Sequence, residues 1–176
     1  MKQKNIQNLV IAALFAAIIC VATFVVKIPS PATNGYLNLG DCFVLLAGFL
    51  LNPLYAVLAA GIGSALADVL AGYAQYAPAT FIIKALMALS VFIIIKAFSN
   101  KFTIVSKLCS GFAAEAVMVL GYFGYEALVL GYGVSAASGI LPNVLQGAVG
   151  IITAFIIMKA ITKSKALSSL FMKGKS

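Results

Sequence analysis

Ionisable side chains are scarce in this chain, and their positions are its most informative feature. Between Gly35 and Lys84 it reads GYLNLGDCFVLLAGFLLNPLYAVLAAGIGSALADVLAGYAQYAPATFIIK, with Asp41, Asp68 and Lys84 as the only charges. Glu115 and Glu126 stand in a second apolar run, and Asn143 and Gln146 open a third. An ionisable group in membrane-spanning sequence costs at least about 2.5 kcal/mol even on the mild insertion scale, so it faces a cavity, a partner or a ligand. The chemistry on offer is hydrogen bonding and ion pairing with a small polar solute. Catalysis is not expected. The chain has no histidine, which removes a Ser-His triad and a histidine zinc site. Gly61-Ile62-Gly63-Ser64 lacks the spacing and the Lys-Ser/Thr ending of a phosphate loop, so this chain does not itself hydrolyse ATP. The two aspartates have no sequence context of an intramembrane aspartyl protease.

Composition places these residues in a membrane. Hydrophobic residues make up 63% of the chain and charged ones 9%, with a mean hydropathy of +1.10; a soluble domain carries about 25% charge. The +8 net charge comes from lysines alone. Nucleic-acid readers rely on arginine forks, so lipid headgroups, not nucleic acid, are the expected anionic neighbours. Cys20, Cys42 and Cys109 show no paired metal-ligand spacing and read as packing residues, with no metal expected.

At roughly 20 residues per helical crossing, the apolar runs predict an all-α bundle of six transmembrane helices in a single membrane domain, 1–176. The expected spans are 9–26, 41–52, 54–70, 79–98, 108–130 and 141–161. The first ends at Lys27-Ile28-Pro29-Ser30-Pro31, where prolines break the helix. Its lysine-bearing start resembles a signal peptide, but the apolar run is longer than a signal core and no clean cleavage site follows, so it reads as a retained span. The second and third form one apolar block interrupted at Asn52-Pro53, too long for one crossing and short for two. Two abbreviated helices with a tight turn are expected there.

Lysine placement orients the bundle. One side collects Lys2, Lys4, Lys96, Lys101, Lys107, Lys159, Lys163, Lys165, Lys173 and Lys175, against Lys27 on the other. The positive-inside rule makes both termini cytoplasmic. The outer connections are then 27–40, 71–78 and 131–140. Asp41, Asp68, Lys84, Glu126, Asn143 and Gln146 fall at a common depth in the outer third, while Glu115 stands alone in an otherwise sealed inner half. Helical spacing puts Glu115, Met118, Tyr122 and Glu126 on one face. With loop tyrosines Tyr36, Tyr73, Tyr76 and Tyr132 nearby, the set reads as a small-molecule pocket. Each residue also has a structural reading: Asp41 as a helix cap, Asp68 with Lys84 as an ion pair tying two spans, Glu126 at the water interface, Asn143 and Gln146 as interhelical hydrogen bonds.

Small residues mark close helix approach. Ala12, Ala13, Ala16 and Ala17 give two overlapping small-xxx-small registers on the first span. Packing within the bundle and contact with a partner protein both fit them. On the third span, Ala56, Ala60 and Ser64, and beside them Ala59, Gly63 and Ala67, read as internal packing.

The order of a short basic N-terminus, AALFAA, IPSP, GYLNLGD, the NP turn, GIGSALADVLAGY and APATFIIKALMA resembles the substrate-binding S component of energy-coupling factor (ECF) vitamin transporters, over nearly the whole chain. The stretch from Asn38 to Lys84 is especially similar to the branch with riboflavin, hydroxymethylpyrimidine and pyridoxine S components. The resemblance implies six helices that bind a water-soluble vitamin from outside, through the last three helices and the loop after the first. It also implies a transmembrane T subunit and two cytosolic ATPase subunits as partners; ATP is used there, and this chain binds no cofactor. The family's alanine contact with the T subunit maps onto Ala12 and Ala16 or onto Ala13 and Ala17. Under the loop from Asn34 to Asp41, the expected ligand contacts are Asn38, Asp41, Lys84, Tyr122, Glu126, Asn143 and Gln146. The chain has no tryptophan, so tyrosine or phenylalanine must stack on the ligand ring, which argues against thiamine itself. A pyridoxine-like or pyrimidine compound is expected ahead of riboflavin, with uptake across the prokaryotic cell membrane. The alternatives are a stand-alone secondary transporter or channel, which calls for internal repeats or a polar path through both membrane halves, and a scaffold that binds no ligand.

Overall fold

The computed structural model describes residues 2–30, 35–99, 101 and 103–171. Pro31, Asn34, Lys173 and Lys175 lie outside them, as do the side chains of Lys2, Lys4 and Tyr36. The elements are α1 (Lys2–Val25), β1 (Ile28–Ser30), β2 (Gly35–Leu37), α2 (Gly40–Leu50), α3 (Pro53–Leu70), α4 (Ala77–Ala97), α5 (Ile104–Gly124), α6 (Ile140–Lys163) and α7 (Lys165–Phe171). A π-helical turn, Tyr125–Val129, extends α5, and a 3-10 segment, Gly133–Gly139, leads into α6.

Five stretches are long and apolar enough to cross a membrane: Asn5–Val25, Pro53–Leu70, Ala77–Ala97, Ile104–Val129 and Gly133–Lys163. The fold is turned outward: Phe112, Leu120, Ile152 and Ile156 are all more than half exposed, whereas the acidic residues are inside. The sixth apolar helix, α2, is different. Its 11 residues span about 16 Å, too short to cross a roughly 30 Å core upright. Every α2 residue except Phe43 is buried, and α1, α3, α4 and α6 pack around it. Val44, Leu45, Leu46 and Phe49 fill the centre of the core.

Local sequence explains the joints. Asn52 is extended (ψ 149°), because the residue before proline is driven from the helical region, and Leu51 before it is extended as well (ψ 167°). Pro53 then opens α3 at a position where no N–H is needed. Only α2 is abbreviated; α3 runs to 18 residues. Thr103 caps α5 by accepting from the Ser106 N–H at 3.1 Å. A β-hairpin pairs Ile28 with Leu37 and Pro29 with Tyr36; with two strands both are edges, where proline is tolerated. This hairpin is an addition to the expected all-α architecture.

The α1–α3 crossing is a close one. A methyl at Gly63 would lie 2.5 Å from the Ala16 carbonyl oxygen, so glycine is what lets the two backbones meet. Ala12 is buried toward α3 and Ala16 is half-buried, while Ala13 and Ala17 are exposed. These alanines line an almost entirely apolar groove of about 560 Å³ with Tyr55 and Gly63 of α3. At the chain's end, α7 turns back so that Phe171 meets Phe15 edge to face at 6.2 Å.

Candidate functional site

Where β2 leads into α2, polar groups from four parts of the chain meet. Asn38 Oδ1 accepts from the Gly40 N–H at 2.8 Å, an Asx-type turn that sets the entry to α2. The Asn38 N–H in turn donates to Gln146 Oε1 at 2.8 Å, and Gln146 Nε2 donates to Asp41 Oδ2 at 2.6 Å. The other oxygen of Asp41 is ion-paired with Lys84. Asp41 thus sits fully buried in the first turn of α2 with both oxygens engaged, its charge also favoured by the helix N-terminus. Lys84 faces the Tyr122 ring with its Nζ 5.5 Å from the centroid, within cation–π range.

An aromatic wall continues from there. The Tyr122 hydroxyl lies 3.0 Å from Thr80 Oγ1. The Tyr76 ring is 6.5 Å from that of Tyr122 and 5.7 Å from that of Tyr125. Tyr76 donates its O–H to Glu126 Oε1 at 3.2 Å. Burial first, and the adjacent Glu126 carboxylate second, push the Tyr76 phenol above its usual range, so it remains a donor. The π turn at Tyr125–Val129 is closed by the Leu130 N–H on the Tyr125 carbonyl. Such turns recur at functional sites because they re-aim neighbouring side chains.

The structure therefore joins Asn38, Asp41, Lys84 and Gln146 directly, with Tyr122 over the lysine and Glu126 at the far side of the tyrosines. Asn143 is half-buried one turn before Gln146, and among the described residues no hydrogen bond joins it to the cluster. Three structural readings change. Lys84 pairs with Asp41, not Asp68. The cap position of α2 is Leu39, and Asn38 rather than Asp41 ties down that end. Glu126 is 3% exposed, so it does not stand at a water interface.

Depth also shifts. Gly150, ten residues and about 15 Å into α6, lies against Asp41: a methyl there would be 3.0 Å from Asp41 Cβ and 3.2 Å from Glu115 Oε1. Because α2 is short and begins deep in the bundle, Asp41 is level with Glu115, which had been expected apart from the site. Thr80, unremarked in the sequence, also joins. Its only signal there is its place one turn before Lys84.

Hydrogen-bonding groups are thus buried beside aromatic faces, enclosed by apolar helices of membrane-spanning length. The profile of the ECF-type riboflavin transporter S component matches residues 3–163, and the chain belongs to that family. The chain is accordingly an integral membrane protein of a vitamin-transport family. It is 37% identical over 135 residues to an uncharacterized protein in a gap 3′ region of Pyrococcus woesei, covering 76% of this chain and 87% of that one. It is 28% identical over 173 residues to the thiamine precursor transporter HmpT of Lactococcus lactis subsp. cremoris, covering 96% and 95%. Its fold resembles the solved S component of a bacterial ECF transporter, with TM-score 0.73 over 93% of this chain and 98% of that chain, at 24% identity.

Proposed function

We propose that this chain is the substrate-capturing subunit of an ECF-type importer. It takes a water-soluble vitamin or precursor from outside and delivers it inward with a transmembrane T subunit and two cytosolic ATPase subunits. The observation that carries this reading is the Asn38–Gln146–Asp41–Lys84 network, which ties the hairpin exit, α6, α2 and α4 around one polar point. A hydroxymethylpyrimidine or pyridoxine-like ring ranks ahead of riboflavin; the similarity to a thiamine precursor transporter supports that order. Tyr76, Tyr122 and Tyr125 supply the stacking faces. Beneath Asp41 the α2 core is apolar, from Val44 to Leu50, which supports a closed binding site over a channel.

In this reading both termini are cytoplasmic and the site opens toward the outside, the β-hairpin and the short α2 together making up the second crossing. The T subunit docks on α1 through Ala13 and Ala17, the register left open by the packing of Ala12 and Ala16 against α3.

The test is calorimetric binding of hydroxymethylpyrimidine, pyridoxine and riboflavin to the purified protein in detergent. Removing one partner of a buried hydrogen bond costs roughly 1 to 3 kcal/mol, or about tenfold to a hundredfold in affinity. Gln146→Ala and Asn38→Ala are expected to weaken the tightest of the three by that factor. Unchanged affinity in both, together with lost binding on substitution near the opposite end of α2, would put the site elsewhere.

A further inference from the structure

All four acidic residues of the chain are buried, and among the described residues one lysine is buried with them. Asp41 takes Lys84 and the Gln146 amide, and Glu126 takes the Tyr76 hydroxyl. Glu115 is the exception. It is 6% exposed, and among the described residues no donor reaches either of its oxygens. It is also aimed at the site: Oε1 lies 3.2 Å from where a methyl at Gly150 would touch Asp41, and Oε2 lies 3.0 Å from the same place at Gly147. An unpaired carboxyl group in an apolar interior is costly, and an apolar side chain of similar volume would hold α5 against α6 without that cost. Among the described residues, nothing offers Glu115 a hydrogen bond.

Resting on the reading that this cluster binds a ring vitamin or precursor, we propose that Glu115 contacts the ligand and sets its class: a protonatable nitrogen heterocycle with an amino group beside a ring nitrogen, as in an aminopyrimidine. The protonated edge of such a ring presents two parallel N–H donors, one on the ring and one on the amino group. A carboxylate accepts both, one on each oxygen, in the two-point geometry that makes charge-assisted pairs strong. The ligand also brings a positive charge to a cluster whose single buried lysine is already taken by Asp41. Gly147 and Gly150 present no side chain at this place, which lets the Glu115 carboxyl group lie directly against the α6 backbone beside Asp41. A flavin edge, one N–H between two carbonyl oxygens, offers a carboxylate one donor and sets an acceptor against its second oxygen. Pyridoxine has no amino group beside its ring nitrogen.

Calorimetry on the purified full chain separates these cases with four probes: hydroxymethylpyrimidine, its counterpart with oxygen in place of the amino group, pyridoxine and riboflavin. The wild-type protein is expected to prefer the amino compound over its oxygen counterpart by about tenfold or more. In Glu115→Gln the side-chain amide offers one donor and one acceptor, which suits the oxygen counterpart, so the preference disappears or reverses while the shape of the side chain is kept. Equal binding of the two pyrimidines, tighter binding of pyridoxine or riboflavin, or an undiminished preference in a monodisperse Glu115→Gln protein overturns the role of Glu115 and leaves the binding function standing. If the wild-type protein binds none of the four and copurifies with no vitamin or precursor, the binding function itself falls, and this assignment with it.

Discussion

Asp41 and Lys84 are the energetic centre of the buried cluster, and each depends on the other. Removing one partner of a buried ion pair costs about 3 to 5 kcal/mol, because the remaining charge is left uncompensated. Lys84→Met is therefore expected to lower the melting temperature in detergent sharply. The double variant Asp41→Asn with Lys84→Met is expected to recover part of that loss, giving a coupling of about 0.5 to 3 kcal/mol. Simple additivity of the two single losses would show that the pair is not coupled. At this scale much was legible in the sequence, since an Asp or Lys inside apolar sequence announces itself. What was not legible is which acid takes the lysine. Asp68 and Asp41 both lie within reach along the chain, and only the deep start of α2 selects Asp41. The same depth hid Glu115, whose helical face was readable but whose neighbours were not.

At the scale of the element, prolines and apolar periodicity marked most helix limits. The Asn52-Pro53 break and the start of α4 near Pro78 follow from backbone chemistry. Polar helical turns escape such a reading: α1 begins at Lys2, where lysine and glutamine are good helix formers but carry no apolar signal. The hairpin, the π turn and α7 escape for a related reason, since tertiary packing rather than local pattern forms them. Two predictions separate the two faces of α1. Gly63→Ala pushes a methyl to 2.5 Å from the Ala16 carbonyl oxygen and is expected to cost about 1 to 3 kcal/mol of stability, read as a lower melting temperature. Ala13→Trp with Ala17→Trp adds bulk on the exposed face. It is expected to keep the melting temperature and ligand affinity and to abolish copurification with the T subunit. Retained assembly in that double variant would remove this row from the partner surface.

For the whole molecule, the solvent decides the arrangement. Apolar side chains face outward and carboxylates inward, as expected where lipid replaces water. The lysine asymmetry predicts an orientation that has a direct check. Ser138 is exposed in the segment before α6, whereas Cys20 and Cys42 are buried and Cys109 is exposed near the start of α5. An impermeant thiol reagent on intact cells is expected to label Ser138→Cys and to reach Cys109 only after lysis. The reverse pattern would invert the bundle.

Whether the buried cluster holds a vitamin or vitamin precursor is read most directly by mass spectrometry of small molecules released from the purified protein. A stoichiometric nitrogen-ring vitamin or precursor is expected in the wild-type preparation, sharply reduced in Gln146→Ala. A wild-type protein that releases no such compound and binds none when it is supplied would contradict vitamin binding by this cluster.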